Sequence, residues 1–212
     1  MSIVQETPMD IHSPFPCTTP SADAIRIAGS GEARVIGLIP HQIVTKSLRY
    51  PVVAKEIPDF TRDILKIVVC NRYRDKESSV GLVHGFSLKR GAIASSISHD
   101  AHNIIAVGTS DGEILTAIER VIRSGGGLVA VSGESATILP LGCAGLMSTV
   151  PYPDVVKQLL DLRAITKRMG SIDDPFMYLS FLALPVIPAL RITDRGLFDV
   201  DMFREVPLFL KK

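Results

Sequence analysis

The sequence predicts an α+β fold, in which a largely antiparallel or mixed β-sheet is covered by two or three packed helices. Three observations favour this fold. Short β-rich runs separated by turn residues occupy the region before residue 108. Two amphipathic helical patterns follow, and one of them lies between two strand-like runs, which predicts one strand-helix-strand crossover. The composition agrees, because 46% of the 212 residues are hydrophobic and 21% are charged, as in ordinary globular domains.

The first 22 residues differ from the rest of the chain. They contain four prolines and no periodic apolar pattern. Such a segment is typical of an extended arm or linker. Residues 23–212 are therefore predicted to form one α+β domain, a size that can bury a large core.

Four β-rich runs open the predicted domain, and each is bounded by glycine, proline or charged turn residues. They are Ala33–Ile39, Gln42–Leu48, Ile64–Tyr73 and Val80–Phe86. Because the gaps between them are too short for crossover helices, the pattern favours an antiparallel meander. Two further β-like runs follow at Gly91–Ser96 and Asn103–Val107.

The first helix is predicted over Asp111–Arg123. Ser110 and Glu113 have the spacing of a capping box, and Gly125 marks the helix end. The next strand, Leu128–Val131, closes the crossover, which predicts at least one parallel pair. A second helix is predicted over Pro153–Met169, and a short third helix begins at Asp174-Pro175 and ends by Pro185. The region Leu190–Leu210 is too irregular to assign.

Charge and composition exclude several classes of protein. With 23 basic and 22 acidic residues and no charge block, no nucleic-acid partner is expected. No apolar run reaches the length of a membrane span, and the acidic N-terminus does not resemble a signal peptide, so the expected location is the cytoplasm. Three widely separated cysteines (Cys17, Cys70 and Cys143) suggest free thiols in a reducing compartment.

One segment concentrates reactive side chains. Between the runs Gly91–Ser96 and Asn103–Val107 lie His99, Asp100 and His102. Histidine titrates near neutrality and can move protons, and an adjacent carboxylate can orient it. The sequence therefore predicts a loop for hydrolytic chemistry, although the same residues can simply cap strands and bind backbone groups.

Other candidate residues carry weaker signals. His41 and His84, in or beside strand-like runs, are interpreted as scaffold residues. The glycines Gly125–Gly127 follow a helix and precede no Lys-Ser/Thr pair, so they predict a helix end and not a phosphate loop. Cys143 has no nearby histidine and is interpreted as an incidental thiol. No complete set of metal ligands occurs at a recognisable spacing, so no metal site is predicted within this chain.

The longest sequence motif is Gly85–Gly108, which reads GFSLKRGAIASSISHDAHNIIAVG. This block resembles the hallmark block of the adenine deaminase C-terminal domains, with Ala101 where many members have serine. The resemblance extends over nearly everything after residue 21. Its further segments are Arg34–Thr45, Leu128–Val131, Leu139–Leu141, Ala144–Ser148 and Asp174–Pro188.

The resemblance implies a hydrolase of the amidohydrolase superfamily, which converts adenine and water to hypoxanthine and ammonia in purine catabolism. It further implies a divalent metal, manganese, iron or zinc, on a β/α barrel that is absent from this chain. The expected partners are adenine or a related purine base, that barrel in cis or in trans, and further copies in a homo-oligomer. An alternative remains open, in which the chain is a non-catalytic purine-binding or assembly module derived from that family.

Roles for individual residues follow from the resemblance. His99, Asp100 and His102 are expected at the mouth of the active site, where an imidazole relays protons to the ring and to the departing ammonia. Asn103 and Ser96 are expected to contact the purine.

Overall fold

The computed structural model describes residues 15–74 and 78–210. It contains an eight-stranded mixed sheet, a separate three-stranded sheet and three α-helices, which confirms the predicted α+β class. The strands of the large sheet are β1 (Ser30–Leu38), β2 (Thr45–Val53), β3 (Ile64–Cys70), β4 (Ser78–His84), β5 (Ala92–Ser95), β6 (Ile104–Gly108), β7 (Gly127–Ser132) and β8 (Ser135–Pro140). The helices are α1 (Asp111–Arg123), α2 (Tyr152–Arg168) and α3 (Pro175–Phe181), and the small sheet contains β9 (Leu190–Thr193), β10 (Gly196–Asp199) and β11 (Arg204–Val206).

The strand order of the large sheet is β2-β1-β4-β3-β6-β5-β7-β8, with β1 and β4 parallel. The predicted antiparallel meander of the first four strands is therefore wrong. Burial explains the difference, because every residue of β3 is buried and needs neighbours on both sides, here β4 and β6. β2 is buried only at Thr45 and Val52 and carries Pro51, which suits the sheet edge where it lies.

The predicted crossover is confirmed. α1 connects β6 to β7, and these two strands run in the same direction because both pair antiparallel with β5, which lies between them. The helix begins and ends where the sequence predicts. Ser110 Oγ accepts a hydrogen bond from the Glu113 backbone N–H, and Gly126 N–H donates to the Val121 carbonyl at 2.9 Å beyond the last turn.

The two faces of the large sheet are covered differently. α1 packs its buried face, including Ile114 and Ile118, on side chains such as Val68 and Ala94. α2, α3 and the small sheet cover the opposite face over residues such as Ile67 and Ile93. Within the described ranges, no helix combines the length and apolar character required to cross a lipid bilayer.

The segment before β1 was predicted as an extended arm. Residues 1–14 lie outside the described part, and residues 15–22 show no helix or strand. Cys17 is buried against the α1 side of the sheet, and Phe15 is half-buried beside it.

Candidate functional site

The predicted reactive loop is the connection between β5 and β6, called here the histidine turn (residues 96–103). It lies at the end of the sheet where β3 finishes and β7 begins, because Cys70 pairs with Ile104 and Ser95 pairs with Leu128. The turn closes on itself, since the His102 backbone N–H donates to the Ser98 carbonyl at 2.7 Å. His102 has a φ of 53°, a left-handed conformation that histidine adopts more readily than most residues.

The histidine turn brings both predicted imidazoles together. The rings of His99 and His102 meet edge to face with their centroids 5.5 Å apart, and His99 also lies 4.8 Å from the ring of Phe181 in α3. Both histidines are half-buried, and Asp100 between them is exposed. The imidazoles are thus neither enclosed in the core nor fully solvated, as a group that exchanges protons with a ligand requires.

Asn103 is buried and anchors the turn to the end of β3. Its Oδ1 accepts a hydrogen bond from the Arg72 backbone N–H at 3.3 Å, and the Tyr73 hydroxyl donates to the Ala101 carbonyl at 2.9 Å. The Arg72 guanidinium donates to the Ala144 carbonyl at 2.8 Å and lies 4.9 Å from the rings of both Phe15 and Tyr73. Sequence analysis did not single out Arg72 or Tyr73, because no local pattern indicates that they meet this turn.

Ser96, predicted to contact the substrate, is completely buried and its hydroxyl is used within the protein. Its Oγ accepts from the Gly127 backbone N–H at 2.8 Å and donates to the Gly145 carbonyl at 2.5 Å. These bonds hold the start of β7 and the loop after β8 beneath the histidine turn. A substrate contact for Ser96 stays a prediction, and the observed bonds are structural.

The electrostatic environment favours a neutral His102. Burial lowers the pKa of its imidazole below the ordinary value of 6.5, and the neighbouring His99 and Arg72 lower it further, whereas Asp100 acts in the opposite direction. The buried Nδ1 of this ring has no hydrogen-bond partner among the described residues. The neutral ring therefore keeps one nitrogen whose hydrogen-bonding capacity no described residue uses.

The lowered pKa of His102 predicts a pH-dependent stability. The unfolded chain binds a proton at this imidazole more tightly than the folded chain. The contribution of His102 to the free energy of unfolding is therefore complete above about pH 6.5. It declines as the pH falls from there towards the folded-state pKa, and it levels off below that value. In urea unfolding between about pH 7.5 and 5.5, we expect the free energy of unfolding of His102→Gln to depend less steeply on pH than that of the unchanged chain. The control is His41→Gln, which replaces an exposed histidine. An equally steep decline in His102→Gln would contradict the assignment.

A cleft of about 350 Å³ lies beside the histidine turn. Its walls come from the turn, the residues after α3 and the end of β9, and they include Ser98, Asp100, Asn103, Pro185, Thr193 and Asp194. Ser98 is almost completely buried, at 1% exposure, and its Oγ has no hydrogen-bond partner among the described residues. Sequence analysis did not single out Ser98 or Asp194.

The remaining candidates have structural surroundings. His84 and His41 border a separate cleft of about 310 Å³. His84 Nδ1 lies 2.8 Å from the Arg62 carbonyl, and the His41 backbone N–H donates to the Tyr178 hydroxyl at 2.7 Å. The interpretation of Gly125–Gly127 as a helix end is confirmed by the capping bonds after α1.

The divalent metal implied by the resemblance does not fit the described residues. Within residues 15–74 and 78–210, no three histidine, cysteine, aspartate or glutamate side chains are grouped closely enough to hold a metal ion. His99, Asp100 and His102 are neighbours in sequence, but they do not form such a group.

Comparisons with known proteins identify the domain. The profile of the adenine deaminase C-terminal domain matches residues 42–204, a range that includes the whole histidine turn. The chain belongs to the adenine deaminase C-terminal domain family. It is 61% identical to the adenine deaminase of Methanoregula boonei over 91% of this chain and 35% of that protein. It is 58% identical to the adenine deaminase of Methanoculleus marisnigri, over 93% of this chain and 38% of that protein.

A more distant member of the family covers the same region. The adenine deaminase of Brucella anthropi is 48% identical over 83% of this chain and 32% of that protein. The chain thus spans about a third of the length of the curated relatives it matches.

Proposed function

We propose that this adenine deaminase C-terminal domain contributes the histidine turn to the active site of an enzyme that hydrolyses adenine to hypoxanthine and ammonia. The observation that carries the proposal is the His102 imidazole. The turn that holds it borders a cleft, its pKa is lowered, and its Nδ1 has no partner among the described residues. The relatives named adenine deaminase indicate the reaction.

The reaction requires proton transfers that a neutral imidazole can perform. Water adds to the carbon that bears the amino group, and the C–N bond breaks. One water proton leaves with the amine as ammonia, and the other ends on the ring nitrogen beside the new carbonyl of hypoxanthine. His102 accepts a proton while the C–O bond forms and returns it to the departing amine. His99, in edge-to-face contact at 5.5 Å, and Asp100 adjust the proton affinity of His102.

The rest of the active site would come from another domain. The metal implied by the family resemblance, manganese, iron or zinc, would be held there, since the described residues do not fit it. The position of Phe15 supports this arrangement, because its ring lies on Arg72, whose backbone N–H holds Asn103. A domain that packs at Phe15 would therefore lie beside the residues that brace the histidine turn.

A chimeric enzyme tests the proposal. This chain would replace the matching 35% of the Methanoregula boonei adenine deaminase, to which it is 61% identical. We expect the chimera to release ammonia from adenine and the 212-residue chain alone to release none, with or without added Mn²⁺.

The unmodified Methanoregula boonei enzyme is the control. An inactive chimera beside an active parent would support the alternative of a non-catalytic module. Turnover by the chain alone would contradict a site shared with another domain.

A further inference from the structure

The cleft beside the histidine turn, named here the Ser98 cleft, has a chemistry that the proposed reaction does not yet explain. It is bordered by Ser98, Asp100, Asn103, Pro185, Thr193 and Asp194 and encloses about 350 Å³. This volume is within the range of small-molecule sites, which combine apolar walls with a few convergent polar groups. Ala183 to Val186 supply the apolar wall.

The hydroxyl of Ser98 is the first polar group of this cleft. It is buried at 1% exposure and has no partner among the described residues, although a buried hydroxyl without a hydrogen bond is unfavourable. Ser96, two residues earlier, is equally buried and makes two hydrogen bonds. The contrast indicates that the partner of Ser98 comes from outside the described residues, since unpaired buried groups in native structures usually have an explanation such as a bound molecule.

Carboxylates form the second part of the Ser98 cleft. Asp194 Oδ2 accepts a hydrogen bond from Asn71 Nδ2 at 2.7 Å, which fixes the carboxylate at the end of β9. Asp100 borders the same cleft from the turn, and no lysine or arginine is among the described residues that line it. Ionised carboxylates only accept hydrogen bonds, so the cleft favours a ligand that donates N–H groups and disfavours an anionic one.

Asn103 adds one donor to this set. Its Oδ1 accepts from the Arg72 backbone, which leaves Nδ2 as the group that can donate to a ring nitrogen. The amide donor suits a ring nitrogen of a ligand, and the neighbouring carboxylate acceptors suit an amino group beside that nitrogen. Amide side chains recognise the edge of adenine through the same pair of ring nitrogen and amino group. We infer that Ser98 and Asp194 bind the amino-bearing edge of the base, and that the carboxylate of Asp194 selects an amino group over a carbonyl at that position.

The inference rests on the proposed function, and it distinguishes substrate from product. Adenine presents an amino group at the position where hypoxanthine presents a carbonyl oxygen. An oxygen acceptor placed against the carboxylate of Asp194 would face a second acceptor with no hydrogen bond between them, and such mismatches in polar sites are strongly disfavoured. The Ser98 cleft therefore retains the base before the reaction and releases it afterwards.

Binding to the 212-residue chain tests the inference without requiring turnover. Adenine, hypoxanthine and adenosine monophosphate would be titrated to about 5 mM into the isotope-labelled chain, with NMR shifts as the readout. We expect adenine to shift resonances of residues 98–103 and 193–194, and to bind at least about tenfold more tightly than the other two compounds.

Matched substitutions locate the contacts. Ser98→Ala and Asp194→Asn are each expected to weaken adenine binding by about tenfold, and Asp194→Asn should also reduce the preference over hypoxanthine. The exposed positions Ser135 and Asp161 supply the controls, because Ser135→Ala and Asp161→Asn should leave adenine affinity unchanged. Ser98→Ala removes a hydroxyl that bonds to none of the described residues, so the variant should fold intact, which thermal unfolding would verify.

The outcomes separate this inference from the proposed function. Absence of adenine binding, equal binding of hypoxanthine or adenosine monophosphate, or unchanged affinity in Ser98→Ala would each overturn it. An inactive chimera with selective adenine binding would reject the proposed reaction and leave the cleft assignment standing. An active chimera in which Ser98→Ala and Asp194→Asn do not raise the KM for adenine would reject the cleft assignment alone.

Discussion

In the chimeric enzyme, His102→Gln is expected to lower kcat for adenine hydrolysis by about 10²- to 10⁴-fold, the usual contribution of a positioned proton-transfer group. Glutamine retains hydrogen-bonding groups but cannot exchange a proton at neutral pH. The His102 imidazole has a lowered pKa and an unpaired Nδ1, so the loss should be chemical and not structural. The measurement is steady-state ammonia release over a range of pH. In the parent chimera, the acidic limb should follow the lowered pKa of this imidazole.

The control is His84→Gln, which changes a half-buried histidine at the separate cleft near Arg62. It should leave kcat within about twofold of the parent. The double variant His99→Gln/His102→Gln tests whether the two rings act together, since residues that act as a unit give strongly non-additive losses of kcat. If His102→Gln retained kcat within about twofold, the proposed proton transfer would be wrong.

Gly126→Ala is expected to lower the free energy of unfolding by about 3 kcal/mol or more. Gly126 has a φ of +116°, and a Cβ placed there would lie 2.2 Å from the Gly145 Cα and 3.0 Å from the Ser96 Oγ. Backbone cannot yield as a flexible side chain does, so the loop carrying Gly145 must move. That loop also carries Ala144, whose carbonyl accepts from Arg72, and the movement would disturb the histidine turn. Urea unfolding and the NMR shifts of residues 98–103 would report both effects.

Gly112→Ala is the control, because it is expected to change the free energy of unfolding in the opposite direction. Gly112 lies inside α1, and no heavy atom lies within 4 Å of the position its Cβ would take. Alanine there should raise the free energy of unfolding by about 0.5 to 1 kcal/mol, because glycine is the poorer helix former. Equal stability of the two variants would contradict the close approach of Gly126 and Gly145.

Local chemistry made some elements of the fold predictable. α1 has a capping serine, an amphipathic face and a glycine after its last turn, and its predicted bounds match the structure. β8 was missed because its short run Ser135–Pro140 is mostly exposed or half-buried and has no strong apolar pattern. β9, β10 and β11 were unassigned because strands of three or four residues are too short to show a period. The order of the first four strands depended on the full burial of β3, which is a tertiary property.

The histidine turn was predictable from residue types, because His99, Asp100 and His102 lie between two strand-like runs. The residues that contact the turn and complete its cleft were not predictable from the sequence. Arg72 reaches the turn because β3 and β6 pair antiparallel, and Asp194 reaches the cleft because β9 folds back over the large sheet. The difference between Ser96 and Ser98 was equally hidden, since both are serines in one small-residue run and only the hydrogen bonds of Ser96 distinguish them.

The stacking of Arg72 between Phe15 and Tyr73 has a thermodynamic consequence for the whole assembly. One of those rings belongs to the strand-free stretch that leads into the domain, and the guanidinium charge makes protonation of His102 harder. Where seating of that leading stretch holds the guanidinium near the imidazole, we expect seating and proton uptake by His102 to oppose one another. By reciprocity, acidification would then loosen the seated stretch by the same free energy with which seating resists protonation.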